Sequence, residues 1–266
     1  MTSPPANARV CVGAVAWWRI ADINRQITGS RHRRRGRIVE ACRAPPPPLN
    51  DERLRALLDR LHAASDAQVP TTDEWRRGGG RRSTIGTEAE IEAGRPFWAD
   101  KYVALDRDKA ELCYLLCRMR GARRIVEAGT SYGVSTIYLA AAVRDNGGGV
   151  VIATEREPAK AAVARENFAA AGLADLIELR GGDLRETLTP DDGPVDALLL
   201  DIWIAMARPT VELVAPRIPV GGFIVADNTV IRRDEYGPTF DHLATNGFTT
   251  STLPFDGGLG LAVRTS

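Results

Sequence analysis

Lysine is nearly missing from this chain: its 266 residues carry three, Lys101, Lys109 and Lys160. Any chemistry that needs a lysine amine as a base must therefore use one of those three. Histidine is equally scarce, and none of His32, His62 and His242 falls in a Ser-His-Asp or Cys-His arrangement or beside a G-x-S-x-G turn, which removes the usual signatures of nucleophilic hydrolysis. The four cysteines, Cys11, Cys42, Cys113 and Cys117, match no C-x-x-C or zinc-ligand spacing; the reading is a reducing, cytoplasmic setting. Long apolar runs are absent too. The stretch from Val10 to Trp18 is closed by Arg19 and Asp22, well short of the ~20 residues a membrane-spanning helix needs. With Arg9 as its only preceding charge and no small-residue cleavage site, it makes a poor signal peptide.

What remains is long enough for one α/β domain with extensions and a full core. The net charge of +1 conceals an asymmetry: residues 1–50 hold nine arginines against two acids, while the rest holds 26 basic against 32 acidic residues. The mildly acidic main part argues against a nucleic-acid substrate gripped through phosphates. Pro4-Pro5, the cluster Arg31-His32-Arg33-Arg34-Arg35-Gly36-Arg37 and the run Pro45 to Pro48 mark residues 1–50 as a disordered basic, proline-rich tail. No aromatic residue is interleaved in the basic cluster, which weakens its reading as an RNA-binding arm.

From residue 51 the pattern becomes periodic. Asn50 or Asp51 can cap a helix in which Leu54, Leu57, Leu58 and Leu61 recur at helical spacing. Gly78-Gly79-Gly80-Arg81-Arg82 reads as a loop, and Thr87-Glu88-Ala89-Glu90 as a capping box. Phe97, Trp98 and Tyr102 cluster next, and a helix from about Asp106 to Met119 is expected to bury Leu112, Leu115, Leu116 and Met119. Its Cys113 and Cys117, four apart, face one way and are expected to point toward the core. Residues 51–120 form a helical cap region. Residues 121–266 alternate strands (123–128, 149–155, 175–180, 195–201, 220–227) with helices (134–144, 158–171, 207–216), the order of a doubly wound, mostly parallel sheet. Two further extended pieces, 247–254 and 258–264, flank the turn Phe255-Asp256-Gly257.

The chain is organised around Val126-Glu127-Ala128-Gly129-Thr130-Ser131-Tyr132-Gly133-Val134-Ser135. Here strand spacing gives way to helical spacing across a glycine turn, a place where a backbone can approach a ligand closely and a helix offers its free N–H groups. The spacing E-x-G-x-x-x-G departs from the dinucleotide fingerprint G-x-G-x-x-G, which favours a nucleoside without a pyrophosphate. This segment resembles motif I of class I S-adenosylmethionine-dependent methyltransferases, in particular O-methyltransferases similar to catechol O-methyltransferase, and the likeness runs from about Ile85 to the C-terminus. It implies a Rossmann-like, seven-stranded sheet with an antiparallel C-terminal strand. It also implies S-adenosylmethionine as cofactor, a small-molecule substrate, a pre-core region that covers the substrate pocket and, by analogy with similar bacterial enzymes, a homodimer.

In open α/β sheets ligands sit beyond the carboxyl ends of the strands, and the acids there are Glu127, Glu155, Asp183, Asp201 and Asp227. A carboxylate at Glu155 can accept both hydroxyls of a ribose. Asp183 resembles the family position at the adenine amine, with a helix cap as the alternative. Gly129, Ser131, Gly133 and Ser135 match positions around the methionine part, and Glu127 and Asp201 complete the cofactor set. Asp201, Asp227 and Asn228 bring two carboxylates and an amide oxygen together, hard ligands of the kind Mg²⁺ or another divalent cation prefers. In the resembling enzymes these positions bind a cation that holds two substrate oxygens. The departure lies alongside: Asp201-Ile202-Trp203-Ile204 keeps the Asp and Trp of the family's D-H-W-K pattern, but Ile202 and Ile204 replace its histidine and its lysine, the usual base.

These residues point to an O-methyltransferase acting on a hydroxyl of a small aromatic molecule, with Asp201 as the catalytic residue and a divalent cation assisting. Three alternatives stay open: a metal-independent N- or carboxyl-methyltransferase, a cofactor-binding protein without turnover, and an RNA methyltransferase that uses the Arg-rich tail.

Overall fold

The computed structural model describes residues 51–80, 87–189 and 193–266. The tail 1–50, with Cys11, His32, Cys42 and Asn50, lies outside the described residues, as do Arg81 and Arg82. Residues Pro47–Ser266 form one unit.

Helix α1 (Glu52–Asp66) starts at Asp51, whose carboxylate accepts the backbone N–H groups of Arg53 and Leu54, and it buries Leu54, Leu57, Leu58 and Leu61 as the spacing predicts. A short helix α2 (Val69–Trp75) follows. Helix α3 (Glu88–Trp98) opens on the expected capping box, Thr87 and Glu90 each bonding the other's backbone N–H. Helix α4 (Arg107–Arg120) forms where expected, with Cys113 and Cys117 in the core as the spacing predicts and Leu112 and Leu116 half-buried against it, but its inward face is rotated away from Leu115 and Met119. Leu115 is 45% and Met119 81% exposed, while Lys109, Ala110, Cys113, Tyr114 and Cys117 are buried. Two stripes overlap on this helix, and the one centred on Ala110, Cys113, Tyr114 and Cys117 packs with helix α5 (Val134–Asp145), whose core face is rich in alanine.

The core is a seven-stranded sheet of order β3-β2-β1-β4-β5-β7-β6. Its members are β1 (Arg124–Ala128), β2 (Val150–Glu155), β3 (Ile177–Gly181), β4 (Ala197–Leu200), β5 (Phe223–Asp227), β6 (Phe248–Leu253) and β7 (Leu259–Arg264). The first five run parallel, and β7 is antiparallel to both its neighbours. The connecting helices are α5, α6 (Pro158–Ala170), the one-turn α7 (Leu184–Thr187), α8 (Ile204–Val214) and α9 (Arg233–Thr245). Alternate residues serve opposite faces: Ile125, Leu199 and Val225 join the core beneath α1, α4 and α5, whereas Val126, Leu198 and Ile224 join the other.

This parity places the site. Continuing it along β2, β4 and β5 puts Glu155, Asp201 and Asp227 on the α4–α5 face. The register Ala128↔Thr154, Ala128↔Leu200 and Leu200↔Ala226 sets Glu155, Gly129, Asp201 and Asp227 in one row across the strand ends. Glu127 shares the face but pairs with Leu199, two residues below that row, or about 7 Å deeper.

His62 is not a surface group. It is buried against Tyr138, with Nε2 at 3.2 Å from the hydroxyl, and burial followed by the charge of Arg107 lowers its pKa to about 4. The unfolded chain then protonates first, so His62's contribution is whole above pH 6.5 and is lost as the pH falls toward 4. Urea unfolding at pH 7 and pH 4.5 should show the wild type losing about 2 kcal/mol more than His62→Gln; equal losses would refute a neutral buried His62.

Candidate active site

A cavity of about 790 Å³ opens over the row of strand ends, within the roughly 300 to 1,000 Å³ of small-molecule sites. Gly129, Ser131, Glu155, Asp183, Asp201, Asp227 and Asn228 all line it. Glu127, Gly133 and Ser135, assigned to the cofactor from sequence, do not. Glu127 is fully buried, accepting hydrogen bonds from Thr130 Oγ1 at 2.9 Å, Ser135 Oγ at 2.6 Å and the hydroxyl of Thr136. Burial raises its pKa and these three hydroxyls oppose the rise. Glu127 and Ser135 thus shape the turn from within, because the chain runs two residues past the acid before it reaches the rim at Gly129.

The glycines are needed for packing. Gly129 has φ +94°, and a Cβ there would stand 2.0 Å from the carbonyl oxygen of Asp201. Gly133 has φ +87°, and its Cβ would meet the Phe168 ring at 2.3 Å. Between them Ser131 holds φ +49°, uncommon outside glycine. Its Oγ is shut off from solvent without a hydrogen-bond partner, and an orphan polar atom in a cavity wall is what a bound ligand would satisfy.

The two ends of the row differ. At the β2–β3 end, Glu155 Oε2 accepts the Ser131 N–H and Oε1 the Glu157 N–H, each at 2.7 Å; burial raises its pKa against those bonds and the charge of Lys160. Asp183 caps α7 through Arg185 N–H at 2.9 Å and pairs with the Arg185 guanidinium at 2.6 Å, which lowers its pKa. The helix cap is therefore realised while Asp183 still faces the cavity. At the β4–β5 end, Asp227 Oδ1 meets Lys109 Nζ at 2.7 Å and Oδ2 meets Asn228 Nδ2 at 2.6 Å. Lys109 also pairs with Asp106 at 2.8 Å. The Asp201 carboxylate has no hydrogen-bond partner among the described residues, and burial, then Asp227 and Glu127, raise its pKa well above the carboxylate range.

Sequence reasoning named the lysines without placing two of them here. Lys109 is buried beneath Asp227, and Lys160 is buried in the cavity wall near Glu155. Lys101 pairs with Asp100 outside the cavity. His242 lies beside Arg208 at 3.1 Å and does not line the cavity either.

Comparison with known proteins agrees with this geometry. A family model for a methyltransferase domain matches residues 126–229. Catechol O-methyltransferase of Niastella koreensis is 30% identical over 158 residues, 54% of this chain and 68% of that protein. This chain belongs to the class I S-adenosylmethionine-dependent O-methyltransferases. Catechol O-methyltransferase of Mycobacterium tuberculosis is 33% identical over 138 residues, 47% of this chain and 62% of that protein. The crystal structure of the O-methyltransferase TomG from Streptomyces achromogenes, in complex with S-adenosylmethionine, superposes with TM-score 0.57 at 26% identity, covering 65% of this chain and 86% of that one.

In this methyltransferase the N-terminal helical region contributes to the cavity wall. Ile91, Trp98 and Val103 line it, opposite Ile202, Trp203, Ile204 and Met206, and the Trp98 and Trp203 rings lie 5.5 Å apart. Helix α8 begins at Ile204 rather than near 207, which carries these apolar residues to the rim. Phe97 stacks on Trp75 and Tyr102 on Tyr132, so of the three clustered aromatics only Trp98 faces the cavity. Three ion pairs fasten α3 to the loops after β2 and β3: Arg95 with Glu157, Glu92 with Arg156 at 2.9 Å, and Glu88 with Arg185 at 2.7 Å. No helix among the described residues is long and apolar enough to cross a membrane.

The Gly129 contact gives a direct test. Gly129→Ala should abolish S-adenosylhomocysteine binding by calorimetry and cost about 2 to 4 kcal/mol of stability. Gly147→Ala, also at positive φ but with nothing within 4 Å of its Cβ, should cost about 1 kcal/mol and leave binding intact. Normal binding by Gly129→Ala would refute the close approach.

Proposed function

We propose that this methyltransferase transfers the methyl group of S-adenosylmethionine directly onto a hydroxyl of a small aromatic acceptor. One observation carries the reading: a single cavity joins a hydroxyl-accepting end, Glu155 with the orphan Ser131 hydroxyl, to an acidic floor walled by Trp98, Ile202, Trp203, Ile204 and Met206. In it Glu155 accepts the ribose hydroxyls, Asp183 faces the adenine, and Gly129 and Ser131 take the methionine part. The apolar wall receives an aromatic ring, and closure between wall and cofactor holds hydroxyl and methyl in line. Ile202 and Ile204 leave that wall without the polar groups that two adjacent hydroxyls would engage, so a ring more apolar than catechol fits better.

The acidic floor fits a divalent cation. Asp201 and Asp227 face the same space with the Lys109 ammonium as internal counter-charge, and Asn228 adds an amide. The donors are two carboxylates and one amide; no group of three His, Cys, Asp or Glu side chains among the described residues could hold a metal. Asp201, Asp227 and Asn228 would hold the ion, which when bound lowers the pKa of the acceptor hydroxyl. Asp201 is the catalytic residue of this reading, its unpartnered carboxylate taking the hydrogen bond of the reacting hydroxyl. Lys109, held between two carboxylates, is tied up as a counter-ion, so it does not replace the missing base.

A second reading has its own support. Lys109 already neutralises part of the floor, as a metal-independent methyltransferase acting on nitrogen or a carboxylate would require. Chelation separates the two: EDTA should abolish phenol methylation and Mg²⁺ restore it, whereas undiminished activity selects the second. Glu155→Ala should weaken S-adenosylmethionine binding by on the order of 2 to 4 kcal/mol, and unchanged affinity in a titration would remove Glu155 from the ribose. Asp227→Ala should lose metal-dependent turnover while keeping cofactor affinity; retained turnover would defeat the metal role.

A further inference from the structure

Lys160 is an anomaly in an otherwise well-satisfied wall. Three residues into α6, it is 6% exposed and lines the cavity. It makes no hydrogen bond or ion pair with any described residue, and its ammonium lies over the face of Tyr132, 5.6 Å from Nζ to the ring centroid. Its stem is buried while the ammonium, unpaired by the protein, opens on the cavity; burial lowers its pKa while the neighbouring carboxylates oppose that.

The acids around it explain the vacancy. Glu157 is taken by Arg95 and Asp100 by Lys101, which leaves Glu155 without a cationic partner. Yet Glu155 and Lys160 do not pair, their charged atoms lying beyond the 4.0 Å of an ion pair. Both Glu155 oxygens are pinned by backbone N–H groups, so the carboxylate keeps its place, and the ring of Tyr132, stacked 3.9 Å from Tyr102, backs Lys160. A fixed acceptor and an unpaired donor thus share one wall without touching each other. A hydroxyl, with one O–H to give and two lone pairs to receive, can bridge such a gap.

We propose that Lys160 is a further cofactor-binding residue, its ammonium donating to the ribose hydroxyl oxygens whose protons Glu155 accepts. The proposal rests on the assignment of the ribose to Glu155. Each hydroxyl bracketed in this way is recognised from both sides. The arrangement also lets a buried carboxylate and a buried ammonium neutralise each other through the ligand.

The experiment is a cycle of calorimetric titrations on the full chain, with S-adenosylhomocysteine and its 2′,3′-dideoxy counterpart as the probes. Wild type, Lys160→Met and Lys160→Arg are compared, with melting temperatures checking the fold. Lys160→Met should bind S-adenosylhomocysteine about 10- to 100-fold more weakly but the dideoxy compound within about threefold of wild type, and Lys160→Arg should keep most of the discrimination. Equal losses on both probes, or no loss on either, would overturn the proposal. If Lys160→Met does not fold, Lys160→Arg decides: a wild-type preference for the hydroxylated probe supports the assignment, and a lost preference in a folded, binding protein overturns it. If the wild type itself fails to distinguish the probes, the placement of the ribose at Glu155 falls first.

Discussion

The contact between the Gly129 backbone and the Asp201 carbonyl is the constraint on which the site depends. Parallel strands β1 and β4 end side by side, and the chain leaving β1 must cross the end of β4 with no room for a side chain. That crossing turns the following loop toward β2, where the Ser131 N–H reaches Glu155, and it leaves the Asp201 side chain facing the cavity. One steric requirement thereby fixes the separation between the Glu155 end of the row and the Asp201–Asp227 end.

Beneath this rim, a second set of polar groups holds the turn in shape. Glu127 is a carboxylate with no solvent, satisfied by three hydroxyls from its own turn and the helix after it. Such a group contributes little net stability as a set but is costly to leave half-satisfied, so it specifies one loop conformation. Lys109 does comparable work under Asp227, and its two carboxylate partners outweigh the burial that would otherwise lower its pKa.

Much of this was legible in the sequence because period-two and helical spacings are strong along β1 to β5 and their crossovers. Glu155, Asp201 and Asp227 were readable as rim residues since each ends its strand in register. Glu127 was misplaced because sequence shows that an acid precedes the glycine but not how far the strand rises beyond it; only the pairing with Leu199 does. Asp183 proved to be a cap at the cavity edge, two roles that the same sequence pattern permits. The inward face of α4 was read in part: Cys113 and Cys117 point to the core as expected and Leu112 and Leu116 lie half-buried against it, but Leu115 and Met119 fall on the solvent side, where no described element covers them. A signal did exist: Lys109, Cys113 and Cys117 recur at intervals of four, so a lysine on the face expected to meet the core already marked an internal charge. Lys160 offered only its rarity and its place five residues after Glu155.

The ion pairs that tie α3 to the sheet have a consequence for how that helix and the cofactor influence each other. Arg156 and Glu157 sit in the loop leaving β2, and Arg185 in the turn leaving β3, directly after Glu155 and Asp183. In the proposed reading, a nucleoside that steadies those loops also steadies the residues that anchor α3, and by thermodynamic reciprocity whatever orders α3 strengthens nucleoside binding by the same factor. The proposed cofactor end and the α3 wall are thus coupled through surface charges that singly are worth little.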